Sequence, residues 1–182
     1  MGWNENYAVA GRWMGSGVAI DHIMPPRGRF DLELNAISCV SESFCVAAGD
    51  DYLRPTTQRG NLSSSYPATA IWNGTNWTVH QSPSAGPNID LEQVSCSSRA
   101  NCLAIGGEWW SGNGPLLEHF NGTRWSKVLA PKIPGISHFN YDGLAVVTPS
   151  EILVVGSVSS ASKVNVTLIA EYNGKSLKLL QD

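Results

Sequence analysis

Residues 91–125 read LEQVSCSSRANCLAIGG, then EWWSGNG, then PLLEHFNGTRW. The same order of signals stands one unit earlier in residues 34–77, as LNAISCVSESFCVAAGD, a longer loop and ATAIWNGTNW. It returns in weaker form in residues 142–177, as DGLAVVTPSEILVVGS, a loop and TLIAEYNGKSL. Gly49, Gly106 and Gly156 close the second segment of each unit, so the period runs 57 and then 50 residues. A period of this size marks a repeat architecture. Each unit holds four strand-sized segments, the last two joined by an Asn-Gly pair that suits a type I′ hairpin. Four antiparallel strands per unit at this period predict an all-β chain of β-propeller type. A β-sandwich also supplies many short strands, but not hairpins and cysteine pairs at one phase of successive units.

The repeat divides one domain, 1–182, into blades at about 34–83, 84–130 and 131–182, with a partial N-terminal blade in 1–33. Within that first part, Tyr7 to Gly11 aligns with a second strand and Val18 to Ile23 with a third. Asp21-His22-Ile23 then falls beside Glu118-His119-Phe120, and no NGT-x-W turn follows. Three full four-stranded blades plus a part leave open strand edges at both ends. A four-bladed ring, a piece of a larger propeller and a dimer that completes one ring all answer that problem.

Charged residues make up 15% of the chain, the formal net charge is −3, and there are 18 glycines and seven tryptophans. No basic stripe exists, which argues against nucleic acid as a partner. The longest apolar runs are strand-sized, so no membrane span is expected. The first residues lack a charged start followed by an apolar core, so no signal peptide is read in them. Cys39/Cys45 and Cys96/Cys102 are both C-x5-C at one phase of two units. Facing residues of a tight hairpin lie within disulfide range, which points to an oxidising, extracellular location. Four buried thiols in a reducing compartment is the alternative. C-x5-C is not a zinc-knuckle spacing.

SCVSESFCVAAG, SCSSRANCLAIG, WNGTNW and FNGTRW resemble the repeats of secreted bacterial multi-blade β-propellers. In that family a Ser-Cys…Cys hairpin precedes an aromatic-Asn-Gly-Thr-x-Trp hairpin. The resemblance covers Leu34 to Leu177 and implies the fold; it is a poor guide to activity. The turn is also distantly similar to the Asp-box of sialidase-type propellers. The Ser-x-Asp of that motif is missing, since Ile71-Trp72 and His119-Phe120 precede the asparagines. In the fourth unit Val147 and Ile152 stand where cysteines stood, and Leu177 replaces tryptophan.

Trp72, Trp77, Phe120, Trp125 and Tyr172 recur at fixed positions, as residues packed between blades would. His22 and His119 share one position of the alignment, while His80 and His138 have no partner at ligand spacing. No metal ligand, cofactor site or catalytic residue is assigned, and Gly-x-Ser-x-Gly does not occur. Asn61, Asn73, Asn76, Asn121 and Asn165 head Asn-x-Ser/Thr triplets, of which Asn73 and Asn121 read as turns. Loops that differ between units share one rim. That rim gathers Arg12 and Trp13, then Asp50, Asp51, Tyr52 and Arg54, then Glu108, Trp109 and Trp110, then Tyr141 and Asp142. Aromatic faces beside charged groups suit stacking on a sugar ring and bonding its hydroxyls. The expectation is a non-enzymatic, lectin-like module for a glycan or cell-surface ligand. A glycosidase-type propeller with Asp50, Asp51, Glu108 or Asp142 as acid and base, and an interaction scaffold using open strand edges, are the alternatives.

Overall fold

A computed structural model describes residues 6–53, 64–83, 86–107, 115–128, 138–148, 151–160, 163–172 and 177–180. The described chain is all-β, with no helix. Fourteen strands form four antiparallel sheets, none closed on itself. The first is a two-stranded hairpin of β1 (Ala8–Trp13) and β2 (Val18–Ile23). The second contains β3 (Arg29–Ser41), β4 (Phe44–Leu53), β5 (Ser65–Trp72) and β6 (Trp77–Gln81) in that order. The third repeats the order with β7 (Asp90–Ser98), β8 (Asn101–Gly107), β9 (Pro115–Phe120) and β10 (Trp125–Val128). The fourth does so with β11 (His138–Thr148), β12 (Glu151–Ser160), β13 (Lys163–Tyr172) and β14 (Leu177–Leu179).

The second strands of the second and third sheets, β4 and β8, are covered on both faces, so their sequences are continuous apolar runs and not alternations. Leu103, Ala104 and Ile105 are all fully buried for this reason. The sheets stack face to face. Ala48 and Val46 meet Leu91, Val94 and Ala104 between the second and third sheets. Ala47, Ala68 and Ala70 meet Ile23 and Leu32 between the second and the first. Small side chains at these points let two sheets approach without voids.

Register repeats to the residue. Leu34 pairs with Gly49, Leu91 with Gly106 and Tyr141 with Gly156, and each first strand then bulges by one residue. The bulged residues are Asn35, Glu92 and Asp142. The bulge presses the first strand onto the glycine. A Cβ on Gly49 would stand 1.9 Å from the Glu33 carbonyl oxygen, and one on Gly106 1.9 Å from that of Asp90. Further along, Cys39 faces Cys45 and Cys96 faces Cys102, and both pairs are disulfide-bonded. Val146 faces Ile152 at the same place, so Val146 and not Val147 stands for the first cysteine; Val147 is the residue of a second bulge.

The serine before each first cysteine links neighbouring sheets. The Cys96 N–H donates to Ser38 Oγ at 3.0 Å, and the Val146 N–H donates to Ser95 Oγ at 3.2 Å. One bond is thus used twice at one step of the repeat. Removing the acceptor leaves a partly buried N–H unsatisfied, at a cost of about 1–3 kcal/mol. Ser95→Ala is therefore expected to lower the urea midpoint, and Ser97→Ala, at an exposed neighbour, to leave it unchanged.

The hairpin turns differ from the expected type I′. Trp72 pairs with Trp77 and Phe120 with Trp125 across four-residue connections. Only the glycines take positive φ, 100° at Gly74 and 94° at Gly122. The asparagines act through their side chains. Asn73 Oδ1 accepts from the N–H groups of Thr75 and Asn76, and Asn121 Oδ1 from those of Thr123 and Arg124. A side-chain oxygen here replaces a backbone acceptor.

That geometry also re-aligns the N-terminus. Trp13 pairs with Val18 across Met14–Gly17, the Met14 N–H donates to the Gly17 carbonyl, and Gly15 has φ 85°. The connection has the length and backbone of the WNGTNW turn. β1 and β2 therefore stand as third and fourth strands, not second and third. Packing agrees: Arg12 lies 4.6 Å over the Trp72 ring, the Trp77 indole N–H donates to Asp21 at 3.3 Å, and Ile23 meets Leu32 and Ala68. Hence β1 runs beside β5 in the same direction. His22 and His119 do not share a position, because His22 lies on a fourth strand and His119 on a third. Two other boundaries move. β3 begins at Arg29, five residues before the expected unit start. β4 extends through Leu53, so Asp50 to Tyr52 belong to a strand and not to the expected polar loop.

Candidate functional site

Carboxylates, tyrosines and one arginine converge where β4 ends, beside the middle of β3 and the starts of β5 and β7. Alternation along β4 divides them between two faces. Asp50 and Tyr52 point toward the third sheet, and Asp51 points toward the first.

On the first of these faces, Asp50 is buried and lies opposite Glu33 on β3. Tyr52 donates a hydrogen bond to it, while its Oδ2 has no bonded partner. Ser65 Oγ donates to Asp90 Oδ1 at 2.9 Å, which fixes the start of β7 against β5. Burial first, and the Asp90 charge second, push Asp50 up to about 7; the Tyr52 bond opposes them. Burial and the nearby Asp50 charge push the Tyr52 phenol well above its usual range. This carboxyl can therefore hold a proton near neutrality, next to a second carboxylate that repels its charge.

On the other face, Asp51 is fully buried. Its Oδ1 lies 3.2 Å from Arg29 Nε, and its Oδ2 accepts from Gln81 Nε2 at 3.2 Å. Burial raises its pKa, and Gln81 and Arg29 draw it back down. The Arg29 guanidinium lies 4.4 Å over the Tyr66 ring, and the Phe30 ring lies 6.2 Å edge-on from Tyr52. Asp51 thus holds the arginine that covers Tyr66, and Asp50 holds the phenol of Tyr52. Both aromatic rings remain half-buried, within reach of solvent.

A third buried acid lies between the second and third sheets. Glu118 is fully buried, accepts from Ser82 Oγ, and leaves Oε2 unbonded. Burial raises its pKa against the opposing pull of Ser82 and Lys127. The Ser82 N–H in turn donates to the Pro67 carbonyl, and Pro67 pairs with Asp50. His119 is part-buried beside Asn101, 2.8 Å from its Oδ1, and burial lowers its pKa.

The residues expected on one rim are only partly assembled. Asp50, Asp51 and Tyr52 are together, but the two acids are buried. Arg12 forms an ion pair with Asp21 at 3.0 Å and stacks on Trp72, which pairs with Cys45 at the other end of β4. Five to seven residues of extended strand, roughly 17–23 Å, separate that point from Asp50 to Tyr52. Trp13 sits at that far end too, 72% exposed. Asp142 is an exposed bulge residue equivalent to Asn35, whose Nδ2 donates to the Leu91 carbonyl of the next sheet at 3.0 Å. Tyr141 pairs with Gly156; its side chain, like Arg54, Glu108, Trp109 and Trp110, lies outside the described residues. Sequence reasoning missed Arg29, Glu33, Tyr66, Asp90 and Glu118. Glu33-Leu34 and Asp90-Leu91 were a usable signal, being acid-leucine pairs at one phase of the repeat. Among the described residues, no three His, Cys, Asp or Glu side chains are grouped to hold a metal ion. No helix among them is long and apolar enough to cross a membrane.

Comparison of the chain with protein-family models and with curated proteins returns no match.

Proposed function

We propose that this chain is an extracellular module of β-propeller type that binds carbohydrate, without catalysis, at the end of β4. Three four-stranded units of one order and one register, joined by the same serine bond, support the architecture. Disulfides at equivalent places in two units support an oxidising location.

The observation that carries the ligand class is half-buried Tyr66 with the Arg29 guanidinium 4.4 Å over one side of its ring, the arginine held in turn by buried Asp51. A ring held in place in this way offers its other side to a sugar at little entropic cost. The guanidinium beside it takes the sugar's hydroxyls. A glycan array tests this. The parent chain is expected to retain a defined set of glycans, and Tyr66→Ala to weaken retention at least tenfold. No retained glycan would refute it.

Asp50 favours a second reading as a hydrolase. A buried carboxyl pushed up to about 7, and so able to keep its proton near neutrality, has the property of a glycosidase's general acid. Turnover of aryl glycosides that disappears in Asp50→Asn would establish that reading instead.

A further inference from the structure

Six of the twelve large hydrophobics exposed among the described residues fall on two surfaces at opposite ends of the stack. Val9, Trp13, Val18 and Ile20 line one face of the β1–β2 hairpin, paired across it as Trp13 with Val18 and Gly11 with Ile20. The opposite face, with Ala8, Ala10 and Ile23, is the one that packs on the second sheet.

The repeat identifies the bare face. With Trp13 equivalent to Trp72 and Val18 to Trp77, Val9 stands for Ala68 and Ile20 for Val79. Ala68 and Val79 are the residues through which the second sheet receives the sheet before it. The hairpin therefore presents a receiving face with no sheet against it among the described residues, and Ile20 is 62% exposed.

The fourth sheet presents the other half. Val155 stands for Ala48 and Ile105, one residue before the paired glycine, and Val147 stands for Val40 at the second bulge. Ala48 and Val40 pack against the following sheet, and Ile105 is fully buried. Val155 is 44% exposed. One chain thus carries both halves of a contact that it already makes internally between successive sheets.

We infer that a second copy of this chain docks its fourth sheet, through Val147 and Val155, onto the β1–β2 face formed by Val9, Trp13, Val18 and Ile20. The contact is heterologous, one surface meeting a different one, so it closes only when each copy both gives and receives. The smallest closed form has two copies. The inference rests on the stacking of sheets and not on the sugar site.

Sedimentation of the full chain at micromolar concentration tests it. The expected mass is twice the 19.6 kDa of one chain, or a higher multiple. Ile20→Glu and Val155→Glu are each expected to raise the dissociation constant at least 100-fold while keeping the parent circular dichroism, since both side chains already face water. An equimolar mixture of the two variants is expected to associate again, because each keeps the face that the other has lost. A parent chain that stays at 19.6 kDa near 100 µM overturns the inference. So does association that survives Val155→Glu, which would mean that the hairpin face meets its own copy. Cross-linking of Ile20→Cys to Val155→Cys within one chain overturns it in favour of internal closure.

Discussion

Gly106→Ala is expected to remove about 4 kcal/mol or more of stability, enough to leave much of the chain unfolded at 37 °C. The added Cβ would stand 1.9 Å from the Asp90 carbonyl oxygen and 2.8 Å from the Leu91 Cα. Both are backbone atoms, held by a bulge whose register is repeated in every four-stranded sheet, so no side-chain rotation relieves the overlap. Overpacking of a site that can give usually costs 1–3 kcal/mol, and a backbone clash exceeds that range. Gly107→Ala is the internal control, since nothing lies within 4 Å of its Cβ position. Chemical denaturation of both variants measures the difference. Equal midpoints for the two would mean that the bulge does not press on the second strand.

Asp50→Asn is expected to stabilise the protein by roughly 2–4 kcal/mol at pH 8 and by little at pH 4. The sign follows from the direction of the shift. The carboxyl titrates near 3.8 when unfolded and near 7 when folded. Between those values the folded chain keeps a proton that the unfolded chain has released, so stability falls as pH rises through the window. Above the folded value the charged carboxylate sits buried beside Asp90, and the whole cost is present. Asparagine removes the charge while keeping an oxygen for the Tyr52 hydroxyl. Urea titrations at pH 4, 6 and 8 are expected to show a flatter profile for the variant than for the parent. Parallel profiles would place the neutral-range titration on another group.

Much of the fold was legible in sequence because the residues that set it cannot be exchanged freely. Gly49, Gly106 and Gly156 mark the bulge, Gly74 and Gly122 the hairpin, and the cysteine pairs the facing strands. Those positions gave the all-β class, the unit length and both disulfide pairings. The first hairpin was mis-phased because its turn is built without asparagine. Met14-Gly15-Ser16-Gly17 keeps the positive-φ glycine but lacks the Asn side chain that made the other turns recognisable. Alignment by YAVAG against CVAAG then shifted β1 and β2 by one strand.

The site was less legible. Asp50, Asp51 and Tyr52 were singled out as loop residues, because polarity alone does not distinguish a solvated loop from buried acids at a strand end. Asp51 tolerates burial through Arg29 and Gln81, which lie 22 residues before it and 30 after, beyond any local pattern. Arg12 and Trp13 were placed beside them by the mis-phased alignment. Glu118 reads as one polar residue in PLLEHF, and only the stacking of the third sheet on the second reveals it as a buried acid.

The central claim is that one sheet unit is repeated and stacked in register, with β1 and β2 as its third and fourth strands. Nuclear Overhauser contacts from the Arg12 side chain test it most directly. Contacts to the Trp72 ring, with the Trp77 indole proton close to Asp21, are the predicted result. Contacts from Arg12 to Tyr52 or Tyr66 instead would place β1 as a second strand and contradict the account.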